Sequence, residues 1–173
     1  FLLVNFCKKK EKILAVIIIA FFSILTIHRN YIWADTERLI EDIIRKSPKK
    51  LRPIYMATEF YVRKKNYINA EAMIQRAFLL NPNSSYNFLH LGVIKEEQNQ
   101  LEEAKKLYET AVISSPPLAF AYFKLGYFYH QEFHILKAEE LYKRSIQLDP
   151  KLASAFVNLG NLYLTQGKYP EAI

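Results

Sequence analysis

The sequence predicts an all-α solenoid of helical hairpins preceded by a transmembrane helix, and three observations predict it. Prolines recur at Pro48, Pro82, Pro116 and Pro150, each 34 residues after the last. Only four glycines occur in 173 residues, too few for the turns of a many-stranded β protein. Near the amino terminus, Ile13 to Ile27 is apolar and uncharged. Half of the residues are hydrophobic (51%), so the chain can bury a core. A formal net charge of +7 raises nucleic acid or an anionic membrane as partners. The tight basic run, Lys8, Lys9, Lys10 and Lys12, abuts the apolar segment, and the other basic residues alternate with glutamates as on solvated helix faces. Without a one-sided basic stripe, nucleic acid is not an expected partner. A lone cysteine, Cys7, excludes an intrachain disulfide and a Cys-rich zinc site.

The elements follow in order. Residues 1–6 read as the end of a preceding transmembrane helix, and 7–12 as a short basic cytoplasmic loop. Residues 13–33 read as a transmembrane helix. Its uncharged stretch is 15 residues, which Lys12, His28 and Arg29 extend by snorkelling, with Tyr31 and Trp33 suited to the interface. A signal peptide competes for the same pattern, but no small-x-small cleavage site follows. The positive-inside rule then puts everything after Trp33 on the non-cytoplasmic side: periplasm, cell exterior or secretory lumen. Residues 34–50 form a capping half-repeat, with Leu39, Ile40, Ile43 and Ile44 on one helix face and Asp35 as N-cap. Three full units follow at 51–84, 85–118 and 119–152, then an incomplete one at 153–173, so the chain reads as a piece of a longer protein.

Several positions keep the 34-residue frame besides proline. Leu91-Gly92, Leu125-Gly126 and Leu159-Gly160 recur, as do Ala70, Ala104, Ala138 and Ala172, and the bulky set Ile54, Phe88, Tyr122 and Phe156. Tyr61, Tyr129 and Tyr163 keep it, while Lys95 departs from it. Small residues belong where paired helices approach closely, and each proline excludes the residue before it from the helical region. The periodicity predicts helices over 51–64, 67–80, 85–98, 101–114, 119–131, 135–148 and 153–166. This pattern resembles the tetratricopeptide repeat (TPR) family from Leu51 onward. The resemblance implies a right-handed superhelix of helical hairpins and a protein-binding groove.

Thr26, Arg29, Asn30, Trp33 and Asp35, followed by Ser47-Pro48 and Arg52, also form a junction similar to the membrane/TPR boundary of transmembrane and TPR-containing O-mannosyltransferase-like multi-pass proteins. That resemblance implies the carboxy-terminal fragment of a glycosyltransferase-like protein whose catalytic acids lie elsewhere. The alternative is a membrane-tethered adaptor for envelope or secretion complexes, with no enzymatic domain.

No residue here suits catalysis, and no cofactor or metal is expected. His130 and His134 lie four apart, but Glu132 comes one residue late for the zinc-protease order. Glu102-Glu103 and Glu139-Glu140 are read as openings of second helices, where carboxylates favour the positive dipole end. Asn83-Ser84-Ser85 is a glycosylation sequon. The expected partner is a protein or peptide segment lying along the first helices. That face is expected to show Arg52, Tyr55, Tyr86, His90, Phe120, Phe123, Lys124, Tyr127, Asn158 and Asn161, with Met56, Glu59, Leu89 and Val93 beside them. Its aromatics suit an apolar or sugar-bearing chain better than an acidic chaperone tail, for which only Lys124 is placed.

Overall fold

The computed structural model describes residues 17–31 and 35–167. The readings that fall on 1–16, on 32–34 and on 168–173 lie outside the described residues; they concern the basic loop, both ends of the expected membrane helix, and Ala172. Among the described residues there are nine helices and no extended strand. The chain divides into two units, Phe1–Pro53 and Ile54–Ile173.

In the first unit, α1 (Ile17–Tyr31) exposes apolar side chains along its length, among them Ile19, Phe22, Ile24 and Ile27. Among the described residues no single helix is long and apolar enough to cross a membrane; α1 has the length and composition only together with α2 (Thr36–Lys46), as a bent pair. Asp35 caps α2, its carboxylate accepting from the Glu37 amide at 2.9 Å. Ile40 and Ile44 are buried, and so is Asp42 between them. Hydrogen bonds from Lys46 and Arg45, one turn along, hold the Asp42 carboxyl below its ordinary pKa.

The remaining helices are α3 (Leu51–Arg63), α4 (Tyr67–Leu80), α5 (Ser85–Glu97), α6 (Leu101–Ile113), α7 (Ala119–Gln131), α8 (Ile135–Leu148) and α9 (Ala153–Thr165). Each boundary falls within one residue of its expected place, because the punctuating residues act locally. Asn81 and Asp149, before their prolines, are extended (φ −151° and −141°), and Ser47 likewise ends α2. At the other turn the period reappears in the backbone. Lys65, Asn99, Phe133 and Gly167, each 34 residues on, are left-handed with φ of 56°, 61°, 61° and 71°. The amides of Asn66, Gln100 and His134 close these turns onto the carbonyls of Tyr61, Lys95 and Tyr129 at 2.8–2.9 Å.

Helices α5 and α6 pair, α7 and α8 pair, and α6–α7 and α8–α9 contacts join successive pairs. Neither helix of a pair can bury its apolar stripe alone, so the core is continuous through the stack. It holds Leu89, Tyr108, Leu125, Phe128, Tyr142 and Leu162, with Ala104 and Ala138 where helices approach. Gly92 and Gly126 are small because of the tyrosines opposite. A Cβ on Gly92 would lie 2.6 Å from Tyr108 Cε1, and one on Gly126 would lie 2.9 Å from Tyr142 Cδ1. The first unit of the repeat keeps the same pairing with its sizes exchanged. Thr58 stands at the glycine position and Ile74 at the tyrosine position, and both are buried.

Two expectations are corrected. Leu89 belongs to the core rather than the exposed face, buried in the same cluster as Tyr108 and Leu125. Glu139 and Glu140 lie a full turn inside α8 instead of opening it. Glu139 instead accepts from the Tyr163 hydroxyl at 2.9 Å and pairs with Lys143. The departure at Lys95 has the same explanation. Lys95 Nζ reaches Glu71 Oε1 at 2.9 Å across the repeat boundary, the place where Tyr163 meets Glu139 one period pair later.

Candidate partner-binding groove

The first helices of the second unit set their side chains in register, and three successive junctions can be compared position by position. Between α3 and α5, Tyr55 stacks on Tyr86 (centroids 5.6 Å) and on His90 (4.9 Å). Its hydroxyl donates to Asn87 Oδ1 at 2.8 Å, and Asn87 is itself buried and anchored to the Asn81 carbonyl. Burial pushes the Tyr55 hydroxyl up in pKa and the His90 imidazole down to about 4. Beside this stack, Glu59, Val62, Arg63, His90 and Val93 line an open cavity of about 230 Å³.

At the next junction that space is filled. Lys124 of α7 stands one period after His90, and Glu96 one period after Val62. Lys124 Nζ meets both oxygens of Glu96 at 2.9 and 3.0 Å, and Glu96 Oε2 also accepts from the buried Tyr108 hydroxyl at 2.6 Å. Phe120 and Phe123 sit alongside (5.6 Å), with Lys124 over the Phe120 ring at 5.7 Å. At the third junction the corresponding residues are His130 and Asn158, and Asn158 bonds back to the Ser154 carbonyl.

The predicted face therefore divides. Tyr86, Phe120 and Tyr127 are exposed by 38–40% and accessible to a partner. Phe123 is half-buried against Tyr142 (6.2 Å) and serves the core as well as the surface. Tyr55 and His90 are half-buried in their stack, and Lys124 is committed to Glu96. Met56, Glu59 and Asn161 are exposed, and Val93 and Asn158 half-buried. Arg52 is exposed on the first turn of α3, within the first unit.

Other sequence features resolve as structure. His130 faces the Tyr142 ring (6.2 Å) and His134 the Tyr129 ring (5.8 Å). Among the described residues no three His, Cys, Asp or Glu side chains converge as a metal site would require. Ser85 of the sequon is buried, its hydroxyl donating to the Pro116 carbonyl, while Asn83 is exposed. Sequence reasoning missed an apolar cleft of about 520 Å³ at the α7–α8 turn, where Phe133 and Leu136 stand 86% and 81% exposed beside Tyr129, Ile135 and Lys137. The signal was available, since a phenylalanine occupies the turn position that holds lysine, asparagine and glycine in the other repeats.

Comparison with known proteins agrees with this architecture. Two tetratricopeptide repeat family models match, one at residues 87–116 and 121–152 and the other at 141–173. No curated protein matches. Among solved structures, the chain is similar to PilW, described as a widely conserved type IV pilus biogenesis factor (TM-score 0.63, 21% identity, covering 85% of this chain and 70% of that one). It is similar to MamA (TM-score 0.58, 21% identity, 78% and 79%). It is also similar to PilF of Pseudomonas aeruginosa (TM-score 0.62, 21% identity, 70% and 56%), of which it spans a little over half. At these identities the likeness concerns the fold. With the 34-residue period, the left-handed turn recurring in each unit, and the sequence matches from residue 87 onward, the chain is a tetratricopeptide repeat protein.

Proposed function

We propose that this repeat array is a membrane-anchored scaffold that holds a partner protein segment against the first helices of its repeats. The observation that carries the reading is the row of exposed rings, Tyr86, Phe120 and Tyr127, on successive first helices. Rings at 38–40% exposure have one side held by the protein and the other free, as anchors for a partner require. The test is photo-crosslinking with a reactive side chain placed at Phe120 or Tyr127, compared with the exposed backs of the second helices at Leu79 or Ile113. Adducts from the first-helix positions alone support the reading; equal labelling from both faces overturns it.

The membrane anchor is the finer part of the proposal. Helix α1 exposes Ile17, Ile19, Phe21, Phe22, Ile24 and Ile27 around its circumference, which water does not favour and lipid does. Its 15 residues give roughly 22 Å at 1.5 Å per residue, so the span needs the apolar residues before Ile17 to complete it. The lysine loop before it places the repeats outside the cytoplasm, with residues 34–50 as the capping half-repeat. The junction motif favours the carboxy-terminal part of a glycosyltransferase-like multi-pass protein, with the face presenting an acceptor protein; an adaptor without an enzymatic domain is the other reading. Carbonate extraction and protease access in sealed vesicles of known orientation test the topology. Release of the chain by carbonate, or digestion of the repeats from the cytoplasmic face alone, refutes it.

A further inference from the structure

The three junctions along the first-helix face carry the same backbone and different polar contents, and the third is incomplete. At the first, Val62 and Ile74 stand in place of Glu96 and Tyr108 and are both apolar, so no buried hydroxyl there needs an acceptor. At the second, Tyr108 is wholly buried, and its hydroxyl donates to Glu96 Oε2 at 2.6 Å. Glu96 is completed by Lys124 from the next repeat. At the third, Tyr142 repeats Tyr108 in position and burial, but Glu96 is replaced by His130 and Lys124 by Asn158. The Tyr142 hydroxyl is sealed from solvent and has no hydrogen-bond partner among the described residues. Native proteins rarely leave a buried hydroxyl without an acceptor, because desolvation is then uncompensated.

We propose that the third junction is a recognition site for one side-chain carboxylate of the partner, an aspartate or glutamate, which takes the place that the array's own Glu96 fills at the second junction. The inference rests on the reading of this face as partner-binding, and it assigns that partner an acidic residue among apolar ones. The Tyr142 hydroxyl is one donor. His130, whose ring centroid lies 6.2 Å from that of Tyr142, offers a ring N–H in either protonation state. Asn158 stands where Lys124 completes the internal pair, and its amide retains one N–H beyond the bond to Ser154. His130 is half-buried, so a turn of its side chain opens the way to the hydroxyl. A carboxylate is chosen over a neutral acceptor because the template is a carboxylate, and hydrogen bonds to ionised acceptors are the stronger ones. The surrounding rings, Phe123 against Tyr142 and Tyr127 exposed beside Phe128, supply the apolar flanks.

The experiment uses the full chain in a mild detergent, with side-chain NMR following Tyr142 and His130. The probe is N-acetylglutamate N-methylamide, compared with its glutamine analogue. Saturable shifts at both residues with the glutamate probe alone are expected. Tyr142→Phe should weaken probe binding about tenfold, the loss of one hydrogen bond to a charged group, without lowering the melting temperature, since it removes an unpaired hydroxyl. His130→Glu should abolish probe binding and raise the melting temperature, because the array then supplies its own carboxylate as at Glu96. Equal response to both probes, no saturable shift, or wild-type binding by Tyr142→Phe overturns the proposal, and the last holds even where His130→Glu does not fold. The partner-binding face itself stands or falls separately, on crosslinking at Phe120 and Tyr127.

Discussion

Phe133 is the residue whose replacement should make this protein more stable. It holds the left-handed turn between α7 and α8 at φ 61°, where an L-residue with a bulky side chain is strained by about 1–2 kcal/mol. Asparagine, present at Asn99 in the same conformation, largely escapes that cost through its short polar side chain. Against the relief stands whatever burial the ring contributes. Phe133 is 86% exposed, so a seventh of an aromatic surface of about 200 Å² is covered, worth about 0.7 kcal/mol at 25 cal/mol per Å². The difference predicts that Phe133→Asn stabilises by roughly 0.5–1 kcal/mol, and that Phe133→Gly gains less because glycine adds freedom to the unfolded chain. Asn99→Gly, at the equivalent turn, should change stability by only a few tenths of a kcal/mol. The assay is guanidinium unfolding followed by far-ultraviolet circular dichroism, reading the midpoint at unchanged slope, because repeat arrays need not melt in two states. Loss of more than about 1 kcal/mol in Phe133→Asn would refute the strain argument and show that the ring packs into the cleft it lines with Tyr129 and Leu136.

Further outcomes are expected. Gly92→Ala should cost about 1–2 kcal/mol, since overpacking against Tyr108 at 2.6 Å outweighs the gain of about 1 kcal/mol in helix propensity; Gly126→Leu should abolish cooperative melting, while Gly92→Thr combined with Tyr108→Ile, copying the Thr58 and Ile74 pair, should recover most of the loss. Phe120→Ala or Tyr127→Ala should weaken partner capture by about 2 kcal/mol with helical circular dichroism retained; a loss of fold as severe as that in Gly126→Leu would make those rings core. His90, held neutral by burial with its pKa at about 4 against 6.5 for the free group, binds its proton later than the unfolded chain does. Stability should therefore be full above pH 6.5 and fall as the pH drops toward 4, by up to about 3 kcal/mol, and His90→Asn should flatten that slope in a pH series of melts.

The helix bounds were legible in the sequence because proline acts on the backbone where it stands, and a 34-residue frame repeats it. The site was legible only in part, because a first-helix residue three or four positions from a core residue is not thereby exposed. Leu89 shows this. It shares its turn with Tyr86 and His90, yet it is buried in the core cluster that holds Tyr108. The pairing of Lys95 with Glu71 was out of reach for a related reason. Its partner lies 24 residues back, across a repeat boundary, and no periodicity within one repeat marks it.

Departures from the repeat separate into two kinds. Thr58 in place of glycine is compensated by Ile74 in place of tyrosine, and Lys95 in place of tyrosine is compensated by Glu71. In both, a change in size or charge is answered within the array, by packing in the first and by an ion pair in the second. His130 in place of Glu96 is not answered, and the Tyr142 hydroxyl is left buried without an acceptor. Phe133 in place of a turn-forming residue is not answered either, and its ring stands in solvent in a strained backbone. Because each repeat touches only its neighbours, an uncompensated position lowers the stability of one junction without unfolding the array. A solenoid can therefore keep such positions where a single-core domain would have to repair them. The two found here lie in the third repeat, three residues apart at the end of α7 and in the turn after it, and under the proposal above a partner repairs there what the fold leaves open.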